Sequence, residues 1–246
     1  RRARRRRSVS GSAVSGSGRR GQPSGSAVRS AADVVAVICA DDLPFANDVS
    51  PSVHDEPLLA SDQVEYFGQP LFLVIAKTHL AARKAARLGK ISYDEKPALL
   101  SIEDALAANS RFEEGPRVYQ KGDALKAISG AKHQLKGRLE IGGQEHFYLE
   151  GQAALAIPQE DTEMVVHSST QHPSEIQHKT AEMLGLANHA VTVETRRMGG
   201  AFGGKESQGN LPAMTAALAA YLTGQPAKTI YDRDDDFMLT GKRHDC

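Results

Sequence analysis

The strongest constraint on the fold is a glycine-rich segment at residues 198–207, Met-Gly-Gly-Ala-Phe-Gly-Gly-Lys-Glu-Ser. An apolar extended segment at 191–193 precedes it, and apolar residues spaced three and four apart between 211 and 222 follow it. This pattern predicts a strand, a tight loop and a helix. Each glycine costs about 0.5–1 kcal/mol of backbone entropy relative to alanine, so we expect something to pack very closely against this loop.

One interpretation of the loop is a phosphate-binding P-loop. Gly199, Gly204 and Lys205 match the first seven positions of that motif, between a strand and a helix. The eighth position should be a serine or threonine that binds magnesium, but here it is Glu206. A carboxylate about 4 Å from a phosphate costs roughly 4 kcal/mol at an effective dielectric near 20. The pattern therefore disfavours a nucleotide hydrolase without excluding it.

The rest of the chain predicts a mixed α+β fold. Strands are predicted at 34–38, 64–67, 71–76 and 164–168, and a helix at 79–88 behind a Thr78 cap. Alternating residues at 133–141 and 147–157 predict two paired strands. With 246 residues, the chain is long enough for two domains, which we place at 31–130 and 131–246.

Residues 1–30 differ from the rest in charge, because they hold nine arginines and no acidic residue. Few large apolar side chains occur there, so we predict a disordered segment, with a basic arm for nucleic acid or acidic lipid as the alternative. The remainder carries 21 basic and 30 acidic side chains, which argues against a nucleic-acid or membrane surface. A run of acidic residues at 232–236 is interpreted as a solvated or salt-bridged turn.

The two cysteines, Cys39 and Cys246, lie far apart in the sequence and have no metal-ligand spacing. They support neither a disulfide framework nor a cysteine-bound cluster, which is typical of a reducing compartment, and we expect a cytoplasmic protein. No apolar run of about 18 residues occurs, so we expect no membrane span.

Four separated motifs resemble the molybdenum-binding subunit of xanthine dehydrogenases over about residues 31–245: residues 142–150, residues 169–171, the glycine loop, and residues 231–244. The resemblance implies an N-terminal fragment of that subunit. It would hold an α/β hammerhead domain at 31–130 and the incomplete start of a molybdopterin-binding domain at 131–246.

The resemblance also implies roles for individual residues. Gln171 matches the glutamine whose side-chain amide donates to the oxo ligand of molybdenum, and Phe202 the phenylalanine whose backbone N–H points at the metal's ligands. Neither coordinates the metal directly. Gly200 and Gly203 let the main chain approach the cofactor, and Glu206 matches the glutamate that binds a purine. From the residues alone, Gln171 could instead cap the next helix and Phe202 could be part of the core. Glu206 could lie at a helix N-terminus, where the helix dipole favours a carboxylate.

The implied parent enzyme hydroxylates hypoxanthine and xanthine to urate at a molybdenum–molybdopterin centre. Electrons would pass to iron–sulfur clusters and FAD on a small partner subunit in a heteromeric assembly, and then to NAD. The implied general base lies beyond Cys246, so no catalytic residue is assigned and we expect the fragment alone to be inactive. An aldehyde or other heterocycle hydroxylase, the P-loop hydrolase and a non-catalytic interaction module remain as alternatives. The family usually has a third glycine where this chain has Ala201, which is tolerable if φ there is negative.

Overall fold

The computed structural model describes residues 7–10, 18–20, 26–95, 97–111 and 117–246. The chain forms two compact units, one made of residues 1–96 and 144–243, and the other of residues 97–143 and 244–246. The predicted domain boundary near residue 130 stays a prediction. None of the helices in the described ranges is long and apolar enough to cross a bilayer.

The first unit contains ten strands and five helices among its described residues. The strands are β1 (Arg7–Ser10), β2 (Gly18–Arg20), β3 (Val34–Ile38), β4 (Gln63–Val64), β5 (Leu73–Ala76), β6 (Tyr93–Glu95), β7 (Ala153–Pro158), β8 (Met164–Ser168), β9 (Val191–Glu194) and β10 (Ala227–Ile230). The helices are α1 (Ser26–Arg29), α2 (His79–Ala86), α5 (Pro173–Leu184), α6 (Asn210–Thr223) and α7 (Arg233–Leu239). The second unit contributes α3 (Ile102–Ala107) and α4 (Ala124–Gly130).

The described strands of the first unit form two sheets. The larger has seven strands in the order β3-β5-β1-β10-β7-β8-β9, and the smaller has the order β4-β2-β6. In the larger sheet β1 pairs with β10 and β8 with β9 in parallel, whereas the other neighbours are antiparallel. Gly-rich residues 198–207 follow β9, so the loop begins at one edge of this sheet.

Helix α6 packs on β7, β8 and β10, helix α5 packs on α6 and β9, and the two helices enclose the main core. Helix α6 is buried from Pro212 to Ala220, because its alanines let the helix approach β7 closely. Pro173 begins α5, where its missing N–H is not needed, and Gly185 ends it in the left-handed conformation at φ 64°. Both helices therefore hold the strand ends near the glycine loop in fixed positions.

A second core lies between α2 and the strands β3 and β5, with Phe72, Val74 and Ala82 among its buried residues. The Thr78 side chain accepts from the N–H of Ala81 at the start of α2, so the predicted cap is confirmed.

The prediction of disorder for residues 1–30 is corrected in three short segments, which form β1, β2 and α1. Residues 1–6, 11–17 and 21–25 lie outside the described residues. The lack of large apolar side chains led to the prediction of disorder. Strands β1 and β2 form nonetheless, because they pair with other strands through backbone hydrogen bonds, which do not require large apolar side chains.

The second unit departs most from the sequence prediction. The predicted strand at 133–141 is wrong, because among the described residues of this range only Ile141 makes paired backbone hydrogen bonds, with Cys246, and side chains such as Leu135 and Leu139 are exposed. Alternation alone did not produce a strand where no apolar surface covers one face. Helix α4, which Asp123 caps, was not predicted, and Ser101 caps α3.

The acidic run at 232–236 starts helix α7, which the sequence prediction missed. Asp232 accepts from the N–H of Asp235, and acidic residues are favoured in a first helical turn. Arg83 of α2 contacts both Asp232, at 2.9 Å, and Asp235. The interpretation as salt-bridged residues was therefore correct, but the backbone is helical and not a turn.

Candidate functional site

The glycine loop has a strained backbone. Gly200 and Gly203 have φ values of 93° and 92°, which glycine adopts readily. Phe202 lies between them at φ 54°, a conformation that costs a bulky L-residue about 1–3 kcal/mol. Such a residue persists only where its surroundings fix the backbone, so the contacts that hold this loop are central to the site.

Two glycines in the loop are needed because the chain itself leaves no room for a side chain. A Cβ at Gly204 would lie 2.7 Å from ring carbons of His146 and Tyr148, and one at Gly199 would lie 2.7 Å from Cβ of Glu150. Gly203 differs, since a Cβ there would meet only Nε2 of His146, at 3.9 Å. The loop therefore packs against protein at Gly199 and Gly204 and is open at Gly203.

Gln171 lies directly against the loop. Its side-chain oxygen accepts hydrogen bonds from the backbone N–H groups of Gly203, at 3.0 Å, and Lys205, at 3.3 Å. These two donors fix the orientation of the amide, so its Nε2 is the end left to donate, and it has no acceptor within the described residues. The residue before α5 is His172, which makes no side-chain cap, and Gln171 does not cap that helix either.

Phe202 and Ala201 point in opposite directions. The Phe202 residue is 74% exposed, so the interpretation of Phe202 as core is wrong. Its backbone N–H has no acceptor in the described part of the chain. Ala201 is buried and has no positive φ, so its methyl group fits where the family usually has glycine.

Glu206 is exposed and follows directly after the residue whose N–H bonds to Gln171. Helix α6 begins only at Asn210, behind Gly209. A favourable position at a helix N-terminus therefore does not explain this carboxylate. Gln171 and Gly203 are thus in direct contact, and Glu206 lies three residues after Gly203 in the same loop and is exposed.

The position of Lys205 argues against the P-loop interpretation. A P-loop lysine must reach a bound phosphate, but the Lys205 side chain is 0% exposed. Its ammonium donates to Oγ of Ser169 at 2.7 Å and lies 3.5 Å from a carboxylate oxygen of Glu150. The lysine is therefore engaged inside the protein and does not present its charge to a ligand.

A buried polar layer supports the loop from below. The Tyr148 hydroxyl donates to the Asp236 carboxylate at 2.6 Å, and Gln152 donates to both the Tyr148 hydroxyl and the carbonyl of Gly204, each at 3.0 Å. Burial raises the pKa of Tyr148, and the Asp236 carboxylate raises it further, so Tyr148 stays a hydrogen-bond donor. Tyr148 lies in the motif at 142–150 and Asp236 in the acidic run, but nothing in the sequence indicated that they meet.

The site suits a cofactor that brings its own metal ligands. In the described residues, no three His, Cys, Asp or Glu side chains cluster to hold a metal ion. The loop instead offers hydrogen-bond donors, namely the Phe202 N–H and Nε2 of Gln171, beside a glycine without a side chain. Donors of this kind fit the oxygen atoms and negative charge of a metal–pterin group.

Comparisons with known proteins agree with this geometry. Residues 24–97 match the a/b hammerhead domain of aldehyde oxidase and xanthine dehydrogenase, and residues 108–246 match the molybdopterin cofactor-binding domain. Xanthine dehydrogenase of Drosophila pseudoobscura pseudoobscura is 42% identical over 199 residues, which cover 80% of this chain and 15% of that protein. Xanthine dehydrogenase/oxidase of Mus musculus is 42% identical over 212 residues, covering 85% of this chain and 16% of that protein.

Solved structures share the fold. The aldehyde oxidoreductase of Desulfovibrio gigas superimposes with a TM-score of 0.83 at 24% identity, covering 98% of this chain and 28% of that one. Quinoline 2-oxidoreductase of Pseudomonas putida 86 gives 0.81 at 21% identity, covering 96% of this chain and 32% of that one. The predicted α+β class, a hammerhead domain followed by a molybdopterin-binding domain, is confirmed. The chain belongs to the aldehyde oxidase and xanthine dehydrogenase family of molybdenum hydroxylases, which are oxidoreductases.

Proposed function

We propose that this chain forms the glycine-loop side of the molybdenum–molybdopterin site in a longer xanthine dehydrogenase that oxidises hypoxanthine and xanthine to urate. The observation that carries the proposal is the orientation of Gln171. Two loop amides hold its oxygen, so its Nε2 donor faces away from them, and Glu206, the residue after the second amide, is exposed. The chain spans 15–16% of the length of the two relatives named above.

The residues of this chain supply positioning and hydrogen bonds. Nε2 of Gln171 would donate to the oxo ligand, and a neutral amide stabilises an oxygen without giving up a proton. The Phe202 N–H would donate to a second ligand atom, and Gly200 and Gly203 would let the main chain approach. When bound, the cofactor supplies oxygen transfer to an electron-poor carbon and takes up the two electrons.

Glu206 is the residue that we assign to the substrate. Its carboxylate is exposed and can only accept hydrogen bonds while it is ionised. A purine presents ring N–H groups that such an acceptor can bind, whereas a simple aldehyde presents none. This difference supports a purine substrate over an aldehyde.

The path of the electrons is the next part of the proposal. With two cysteines, the chain has too few thiolates for an iron–sulfur cluster, which needs four protein ligands. Such clusters must therefore lie outside these 246 residues, and, following the resemblance, we propose that they and FAD are carried by a small partner subunit in a heteromeric assembly, with NAD as the final acceptor. The cytoplasm is the compartment that fits these partners.

The domain assignment completes the proposal. Residues 31–130 would form the hammerhead domain and residues 131–246 the first part of the molybdopterin-binding domain. The resemblance places the general base beyond Cys246, so the 246-residue chain should not oxidise purines on its own.

An aldehyde or other heterocycle hydroxylase is the competing function, and Glu206 separates the two. The test uses the longer enzyme with its small subunit and the Glu206→Ala variant. Loss of a hydrogen bond to a charged group costs about 1.5–3 kcal/mol, so kcat/KM for xanthine should fall about 10- to 150-fold. Turnover of an aldehyde should change by less than about threefold, because the aldehyde makes no such bond.

A matched control is Glu160→Ala, which removes an exposed carboxylate from the turn between β7 and β8. Both rates should stay at the wild-type level in that variant. Equal losses with purine and aldehyde in Glu206→Ala would contradict the substrate assignment.

A further inference from the structure

The buried side chain of Lys205 connects the C-terminal part of the loop to the end of strand β8. Its ammonium bonds to Ser169 and lies 4.5 Å from the centre of the Tyr148 ring. Ser169 directly follows β8 and lies two residues before Gln171. The lysine therefore links the segment that carries Gln171 to the segment that carries Phe202.

Glu150 connects Gly199, near the start of the loop, to the same lysine. Its Oε2 accepts from the N–H of Gly199 and also lies 3.5 Å from the Lys205 ammonium. Its own N–H donates to the carbonyl of Gly199 at 3.1 Å. One carboxylate thus contacts both ends of the loop, and the pair Glu150–Lys205 closes it.

The backbone of Lys205 repeats this connection on the side of Gln171. The N–H of Lys205 donates to Oε1 of Gln171, while its carbonyl accepts from the Gln171 N–H at 3.0 Å and from the Thr170 hydroxyl at 3.2 Å. Any shift of Lys205 would therefore also turn the Gln171 amide.

The charge is costly in this position. Burial lowers the pKa of Lys205, and the attraction of Glu150 offsets this only in part. An apolar side chain could fill the same space, since replacing buried ion pairs by apolar residues is often neutral for stability. The protein keeps this buried charge, three residues after the strained Phe202, despite its cost. The geometry that the charge imposes on the loop explains this better than a gain in stability does.

We propose that Lys205 is a positioning residue: its buried ammonium, held by Glu150 and Ser169, fixes the glycine loop so that the Gln171 amide keeps its donor outward. The role of this geometry in catalysis rests on the proposed function of the loop. We call the contacts of Lys205 with Glu150 and Ser169 the clamp. The clamp is a property of this chain without any cofactor.

The test is hydrogen exchange of the full 246-residue chain without cofactor, in Lys205→Met and in the matched control Lys179→Met. Lys179 is also buried and ion-paired, but it lies on α5. In Lys205→Met, the backbone amides of residues 203 and 205 should exchange about tenfold faster than the change in global stability alone predicts. In Lys179→Met they should follow global stability alone.

Unchanged exchange of the loop, or the same uniform acceleration in both variants, would overturn the proposal. If Lys205→Met does not fold, two other variants test the proposal, because both keep the lysine: Ser169→Ala removes a hydrogen bond of the ammonium, and Glu150→Gln removes the charge of its ion-pair partner. Each should accelerate the loop amides selectively, and wild-type exchange in both would overturn the proposal.

A double-mutant cycle tests the pairing of Glu150 with Lys205. If the two act through one clamp, the effects of Glu150→Gln and Lys205→Met on loop exchange should be less than additive, whereas additive effects would contradict a shared role. Molybdenum content of the longer enzyme separates this proposal from the proposed function. A wild-type enzyme without molybdenum would refute the function and leave the clamp intact.

Discussion

Two buried lysines in this chain have different surroundings. The Lys179 side chain on α5 is 6% exposed and contacts two carboxylates, Asp48 at 2.8 Å and Glu182 at 3.1 Å. The Lys205 side chain in the glycine loop is 0% exposed and, among the residues that the structure describes, pairs with one carboxylate, Glu150 at 3.5 Å. The two sites therefore differ in how fully the buried charge is compensated.

The pKa values of the two lysines shift in opposite directions for this reason. Burial alone would lower the pKa of Lys179, but Asp48 and Glu182 raise it above its ordinary value. Burial lowers the pKa of Lys205 despite Glu150. A fully paired lysine is typical of a structural ion pair, whereas an incompletely paired charge beside a strained backbone is typical of a functional site.

The largest effect on the free energy of unfolding is expected from Gly204→Ala, which adds a side chain within the loop. The new Cβ would lie 2.7 Å from ring carbons of His146 and Tyr148, and the buried Tyr148 is held by Asp236. Because the ring cannot move away, we expect a loss of about 3 kcal/mol in the free energy of unfolding. Urea denaturation of the 246-residue chain measures it.

Gly137→Ala is the control for that variant, since a Cβ there meets nothing within 4 Å. We expect a change within about 0.5 kcal/mol. Equal stability of the two variants would show that the loop can relax, which would weaken the contrast between the two regions.

A smaller effect is expected from Lys179→Met, which removes the compensated ion pair. Asp48 keeps its bonds from Ser50 and His54, so we expect a loss of about 2 kcal/mol at pH 7, below the usual value for breaking a buried pair. Hydrogen exchange in the glycine loop should not change selectively. Selective opening of the loop in this variant would remove the distinction between the two lysines.

The pH dependence of that loss sharpens the comparison. Burial alone would raise the pKa of Asp48. Hydrogen bonds from Lys179, Ser50 and His54 nevertheless hold this pKa far below its ordinary value of 3.8. The contribution of Asp48 is therefore full above pH 3.8 and decreases as the pH falls below it. The raised pKa of Lys179 makes its contribution full below pH 10.5 and lost as the pH rises through the folded value. The stability difference between wild type and Lys179→Met should shrink at both extremes, and a constant difference would contradict the ion pair.

Local patterns in the sequence predicted much of the first unit. Strands β3 and β8 have the predicted bounds, because each is a short, mostly apolar segment that pairs within the larger sheet. The strand, loop and helix around residues 198–207 were also predicted, since glycines and helical spacing are local signals. Gln171 was found only through the resemblance, as no local pattern connects it to the loop.

The contacts that hold the site could not be predicted in this way. Glu150, Ser169 and Lys205 lie on three separate segments, and only the packed fold brings them together. The failure at 133–141 has a related cause, because an alternating pattern needs a surface to cover its apolar face. Tertiary packing thus decided both results.

Molybdenum and pterin content tests the proposed site most directly. The measurement is made on the longer enzyme, purified with its small subunit. The expression host must be one that inserts the molybdenum cofactor into other molybdenum hydroxylases. Stoichiometric molybdenum and pterin for each copy of this chain, with urate formed from xanthine, is the expected result. An enzyme that lacks both and binds ATP with magnesium at residues 199–206 would contradict it.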